Sequence, residues 1–109
     1  MKLEQLSAQS GLNPVTISKI NAVFSGYPAL EKAVLYGSRA KGNYRNGSDI
    51  DLTLMGVELS RGQLGQIESQ LDDLLLPYSL DISLFQEIDN ADLVDHIKRV
   101  GIVFYPVAS

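Results

Sequence analysis

The sequence predicts an α/β or α+β fold, a small mixed β-sheet flanked by helices. Three observations lead there. Apolar or alternating runs of strand length recur at residues 32–36, 49–55, 78–85 and 102–105. Stretches with apolar residues at helical spacing lie between them, so strands and helices interleave. The chain has 109 residues, which leaves room for one domain around one core.

Taken in order, residues 1–12 are polar with scattered Leu and read as an N-terminal tail, loosely attached or at most a first turn, with the domain expected over 13–109. Asn13-Pro14 is an N-cap followed by proline at the first helical position. Ile17, Ile20 and Phe24 then recur at helical spacing, and Gly26-Tyr27-Pro28 stops the helix. Lys32 to Tyr36 is a short apolar run that ends in Gly37-Ser38, a buried strand and a tight turn. From Asp49 to Met55 the residues alternate: Ile50, Leu52 and Leu54 share one face, and Asp49, Asp51 and Thr53 share the other. Ser60 with Gln63 forms a capping-box pattern ahead of Leu64, Ile67, Leu71, Leu74 and Leu75, and Pro77 ends that helix. Leu80, Ile82 and Leu84 alternate with Asp81, Ser83 and Phe85. Asn90 caps a last helix that carries Leu93, Val94, Ile97 and Val100, and Ile102 to Tyr105 closes as a strand.

Apolar residues make up 45% and charged residues 20%, a globular balance that argues against disorder. Nine Lys and Arg against thirteen Asp and Glu give a net charge of −4, so direct binding to duplex nucleic acid is not expected. The absence of cysteine excludes disulfides, thiol nucleophiles and Cys-ligated zinc, and suits a reducing compartment. The first residues lack the pattern of a secretory signal, and no run approaches the roughly 18 apolar residues of a membrane span. Those features set a cytoplasmic location, away from membranes, as the expectation. His96 is the sole histidine, which rules out any site that needs two.

Two strands keep aliphatic residues on one face and aspartate on the other. Asp49 and Asp51 project to the same side, about 6–7 Å apart at Cα. If the strand with Asp81 pairs nearby in the same orientation, three carboxylates converge. Such a group repels itself unless some members protonate or a cation sits among them. Oxygen donors alone suit a hard ion, Mg²⁺ or Mn²⁺. The plainer alternative is a solvated strand face, where aspartate is common enough. A calcium EF-hand fails, because its sixth position is Leu54 and its twelfth is Ser60. Upstream, the Gly37-Ser38 turn lets backbone N–H groups and a hydroxyl approach an anion, and Arg39, Lys41 and Arg45 cluster around it. Phosphate held at that turn, opposite a carboxylate-held metal, is the arrangement phosphoryl transfer requires.

Gly37-Ser38-Arg39-Ala40-Lys41-Gly42, ten intervening residues from Ser38 to Asp49, and Ser48-Asp49-Ile50-Asp51-Leu52 together resemble the minimal nucleotidyltransferases of the DNA polymerase β-like superfamily. Leu80-Asp81-Ile82 matches that family's third carboxylate on a later strand. The resemblance spans roughly residues 13–106. It implies the polymerase β-like fold and transfer of a nucleoside monophosphate from a nucleoside triphosphate, AMP from ATP above all, to an acceptor hydroxyl. It further implies that Gly37 and Ser38 hold the β- and γ-phosphates, and that Asp49 and Asp51 bind two Mg²⁺ ions (Mn²⁺ as a substitute). Asp81 would ligand the second ion and help to deprotonate the acceptor. Arg39 and Lys41 are expected at the phosphates, although an arginine there can equally buttress the loop.

Larger superfamily members add helical domains that bind the acceptor, for which this chain has no room. Minimal members in the antitoxin branch are paired with HEPN-domain proteins, often toxins, and some transfer AMP to a tyrosine of that partner. An antitoxin that adenylylates its partner is therefore the leading expectation, with homo-oligomerisation left open. One alternative is a non-catalytic module that binds or scaffolds the HEPN partner and keeps a nucleotide site. Another is transfer to a small molecule or an RNA end. Of the remaining residues, His96 reads as a surface or cap residue near Asp92 and Asp95. Tyr36, Tyr78, Phe85, Phe104 and Tyr105 read as packing residues. Tyr44 is either packed on its loop neighbours or free to stack on a base.

Overall fold

Local sequence signals set most of the helix starts. Asn13 Oδ1 accepts the Val15 N–H at 2.7 Å and opens α2 (Pro14–Phe24). Ser60 and Gln63 form a reciprocal capping box on α4 (Arg61–Asp72), and Asn90 Oδ1 accepts the Leu93 N–H to start α5 (Ala91–Val100). Each side chain satisfies a backbone donor that the first helical turn leaves unpaired. The computed structural model describes residues 1–108, so Ser109, the end of the expected domain, lies outside the described residues.

Between these helices run β1 (Lys32–Tyr36), β2 (Ile50–Met55), β3 (Leu80–Leu84) and β4 (Ile102–Tyr105). They form one mixed sheet in the order β3-β2-β1-β4. β1 pairs antiparallel with β2 and β4, and β2 pairs parallel with β3 across the α4 crossover. The alternation in β2 sends Ile50, Leu52 and Leu54 into the main core, where they meet Ile17, Ile20 and Phe24 of α2 and Ile67 and Leu71 of α4. This is the mixed α+β architecture expected from the interleaved pattern.

The N-terminus differs from expectation. Residues 3–10 are a helix, α1 (Leu3–Ser10), in place of a loose tail or first turn. Leu6, Ser10 and Leu12 are buried, and Gln9 Nε2 donates to the Ala40 carbonyl at 2.7 Å. Leu6 and Leu12 supply the apolar anchors that polar neighbours hide in the sequence. The end of α4 also differs: the helix stops at Asp72, and Leu75 takes φ 53° and is 88% exposed, so it does not extend the apolar stripe.

The second face of the sheet is partly covered. α5 lays Ile97 and Leu93 against Val34 and Tyr36 of β1, with Met55, Phe85 and Ile88 around them. Thr53, on the aspartate face of β2, is fully buried there and accepts the Ser83 hydroxyl at 3.1 Å. The aspartates thus line the uncovered part of a face whose remainder is packed.

If α1 belongs to the core, Leu6→Ala should lower unfolding free energy by about 2–4 kcal/mol, the usual loss for a buried leucine. Urea denaturation followed by circular dichroism measures it, and a change within about 0.5 kcal/mol, as at surface positions, would mean that α1 is peripheral.

Candidate active site

The end of β1 and the starts of β2 and β3 lie along one edge of the sheet, because β1 runs antiparallel to the other two. Gly37 follows β1, Asp49 precedes β2, and Asp51 and Asp81 occupy the second positions of β2 and β3. In the parallel ladder Asp51 is the register partner of Asp81, and across β1 it is the partner of Tyr36. Facing residues on neighbouring strands share a side, so the two carboxylates stand together on the face opposite the main core. Asp49 lies two residues before Asp51 at the strand mouth, and the group contains the three sequence-predicted aspartates.

Electrostatics reflect that crowding. Burial first, then the charges of Asp81 and Asp49, hold the Asp51 carboxyl above its ordinary value. Burial, followed by the same Asp81 and Asp51 charges, pushes the Tyr36 hydroxyl up, against a hydrogen bond with Ser83. The donors are carboxylate oxygens that repel one another, and a hard dication between them would relieve that repulsion. Among the described residues, no group of three or more acidic or histidine side chains is arranged to hold a metal ion. Mg²⁺ does not require one: it takes one or two carboxylates and fills its shell with substrate phosphate and water. Asp51 and Asp81, paired across the ladder, are carboxylates of the kind such an ion takes.

Gly37 is required twice over. Its φ of 77° and ψ of −156° lie in a region that is essentially glycine's alone. A Cβ there would also stand 2.5 Å from Asp51 Oδ2. The turn is pinned on both sides, since the Gly37 N–H donates to His96 Nε2 at 3.2 Å and its carbonyl accepts the Lys41 N–H at 3.2 Å. Ser38 begins the single helical turn α3 (Ser38–Lys41), half-buried beside the aspartates' edge of the sheet.

The two basic residues of this turn part ways. Lys41 is exposed at the end of α3. Arg39 points inward and is 2% exposed. Its Nη1 donates to the Ser10 carbonyl at 2.8 Å and its Nε to the Ser48 carbonyl at 3.0 Å, and its guanidinium lies 5.1 Å and 4.9 Å from the ring centres of Tyr44 and Tyr78. Of the two roles open to Arg39, phosphate contact is replaced by the buttress: the side chain ties α1, the α3 turn and the loop into β2 together. Tyr44 is packed on its neighbours, with its ring also over Gly11.

His96 is the residue that the sequence reading misses. The structure places its ring edge-on to Tyr36, with centroids 6.3 Å apart, against the Gly37 turn. No local signal marks it, because the contact joins residues 59 positions apart. Its one sequence clue is that it adjoins Ile97, the α5 residue that faces the sheet.

The polymerase beta nucleotidyltransferase family model matches residues 18–107, and the chain belongs to that family. Its fold is shared with a toxin–antitoxin complex containing AMP-PNP, at TM-score 0.65 and 21% identity, over 86% of this chain and 73% of that one. It is likewise shared with a complex of a tri-AMPylated Shewanella oneidensis HEPN toxin and its MNT antitoxin, at TM-score 0.61 and 17% identity, over 84% and 70%. A protein from Sulfolobus solfataricus gives TM-score 0.52 and 20% identity, over 93% and 83%. No curated protein sequence matches the chain. No helix among the described residues is long and apolar enough to cross a membrane.

Two expected outcomes test this geometry. The metal-free fold favours the protonated form of Asp51, so this group's contribution to stability is present below the ordinary carboxylate range near pH ~4 and is lost as pH rises through the elevated value. Asp51→Asn should therefore raise the thermal midpoint at pH 7 in chelator, with the gain shrinking towards pH ~4; a gain independent of pH would contradict the repulsion. Arg39→Ala should cost about 2–4 kcal/mol in unfolding free energy, since it strips donors from two carbonyls and leaves a void. A variant of unchanged stability that has lost nucleotide affinity would instead mean that Arg39 contacts phosphate.

Proposed function

We propose that this chain transfers AMP from ATP to a hydroxyl of a partner protein, and that the partner is a HEPN-domain toxin silenced by the modification. The observation that carries the transferase reading is the parallel register that sets Asp51 against Asp81 beside the Gly37-Ser38 turn. The partner is supported by two complexes that share the fold, a toxin–antitoxin with AMP-PNP and a tri-AMPylated HEPN toxin with an MNT antitoxin.

In this reading the Gly37-Ser38 turn brings the Ser38 hydroxyl and the exposed Lys41 to the β- and γ-phosphates, and Asp49, Asp51 and Asp81 would hold Mg²⁺ (or Mn²⁺). The bound metal would supply charge neutralisation at the phosphates and a lowered pKa for the acceptor hydroxyl. The acceptor oxygen attacks the α-phosphorus, a new O–P bond forms, and the bond to the bridging oxygen breaks. Pyrophosphate leaves with that electron pair, and the acceptor proton passes to the Asp81 carboxylate, which is exposed at the edge strand and open to an incoming segment. A cytoplasmic setting fits an ATP-dependent reaction of this kind.

Intact-mass spectrometry of a co-expressed HEPN partner tests the reading. Wild-type protein should add one or more AMP units, and Asp49→Ala/Asp51→Ala should add none. Asp81→Asn should lower transfer at least 100-fold while leaving nucleotide affinity within a few-fold, in line with loss of a proton acceptor. A partner that is bound and inhibited but unmodified by wild type would favour the binding-module alternative.

A further inference from the structure

His96 comes from the far end of the chain, yet its ring is the partner of the first peptide of the phosphate turn. The Gly37 N–H donates to Nε2, so in this arrangement the ring proton sits on Nδ1 and Nε2 is an acceptor. Glycine in the Gly37 conformation has no side chain to hold it and the widest backbone freedom to lose. The Lys41 N–H fixes its carbonyl from within α3, and Asn43 N–H fixes the Ser38 carbonyl at 3.1 Å. Among the described residues, the N–H side of the turn is fixed by α5, which is itself seated on β1 through Ile97. Tyr36, packed edge-on to the imidazole and next to Gly37 in the chain, sets the ring plane.

We propose that His96 is a positioning residue for nucleotide binding: through its hydrogen bond to the Gly37 N–H it fixes the orientation of the Gly37-Ser38 turn, without itself touching the nucleotide. The Gly37 N–H is committed to the imidazole, so the donors left to a phosphate are those that follow, the Ser38 hydroxyl among them. Their direction depends on how the Gly37 peptide is held. This inference rests on the nucleotidyltransferase reading of the site.

The decisive pair of variants is His96→Gln, whose side-chain carbonyl can accept the same N–H, and His96→Leu, which fills the space with no acceptor. Calorimetric titration with Mg²⁺ and AMP-PNP should show His96→Leu binding about tenfold more weakly than wild type, the effect of one lost hydrogen bond, and His96→Gln within about threefold. The ¹⁵N-labelled Gly37 amide proton should move upfield in His96→Leu and stay near its wild-type shift in His96→Gln. Equal binding by all three proteins, or tighter binding by His96→Leu, would overturn the proposal while leaving the nucleotidyltransferase reading intact. No binding by wild type would overturn both, with the amide shift still reporting whether the hydrogen bond exists. If His96→Leu does not fold, His96→Phe replaces it, keeping an aromatic ring against Tyr36 without an acceptor; its binding and amide shift are judged by the same outcomes.

Discussion

The site depends on the register of one strand pair. β2 and β3 are parallel and aligned so that Asp51 faces Asp81, while Ile50, Leu52 and Leu54 on β2 enter the main core. Like charges directly opposite one another in a sheet are unfavourable, so nothing at the carboxylates selects this pairing. The selection comes from the other face. A slip by one residue would drive Asp51 into the main core and push Ile50 and Leu52 out of it, at a far larger penalty than the repulsion it relieves. Apolar burial on one face thus enforces an electrostatically unfavourable arrangement on the other.

A second constraint explains why α1 belongs to the domain. Arg39 sits in the phosphate turn but directs its charge away from the site, into carbonyls of α1 and of the loop that leads to Asp49. A buried guanidinium is tolerable only when its donors are satisfied, and Tyr44 and Tyr78 add two ring faces on which it is attracted. One side chain therefore sets the separation between the turn and the β2 mouth. Lys41, the other basic residue of the turn, remains exposed.

What was legible in the sequence follows from the range of the interactions. The caps at Asn13, Ser60 and Asn90 are made within three residues, and strand alternation is a property of neighbours, so both could be read directly. The motif around Gly37 and Asp49 could be read because the chemistry demands particular residue types at short spacing. α1 could not, since its two anchors are embedded in polar residues and matter only once α2 and α3 are in place. Arg39 carries no mark of its burial, because arginine next to a phosphate-type turn has the same sequence whichever way it points. Asp51 and Asp81 could be placed on matching faces, but their direct opposition needed the parallel pairing.

The same distinction of range separates the two faces of the sheet. The main core is assembled from helices that precede and follow the strands they cover, and its residues announce themselves by hydrophobicity. The face with the aspartates is covered in part by α5, with Phe85 and Ile88 beside it; Thr53 is buried there, while Asp51 is half-buried and Asp81 exposed. The boundary of that cover falls at Tyr36 and His96, where packing gives way to hydrogen bonding with the turn. A helix placed there has two effects: it excludes water from the upper part of the face, which raises the electrostatic stakes at Asp51, and it brings an acceptor to the one turn that must hold its shape. The last helix of the chain is thus part of the site by position, although its residues show no motif.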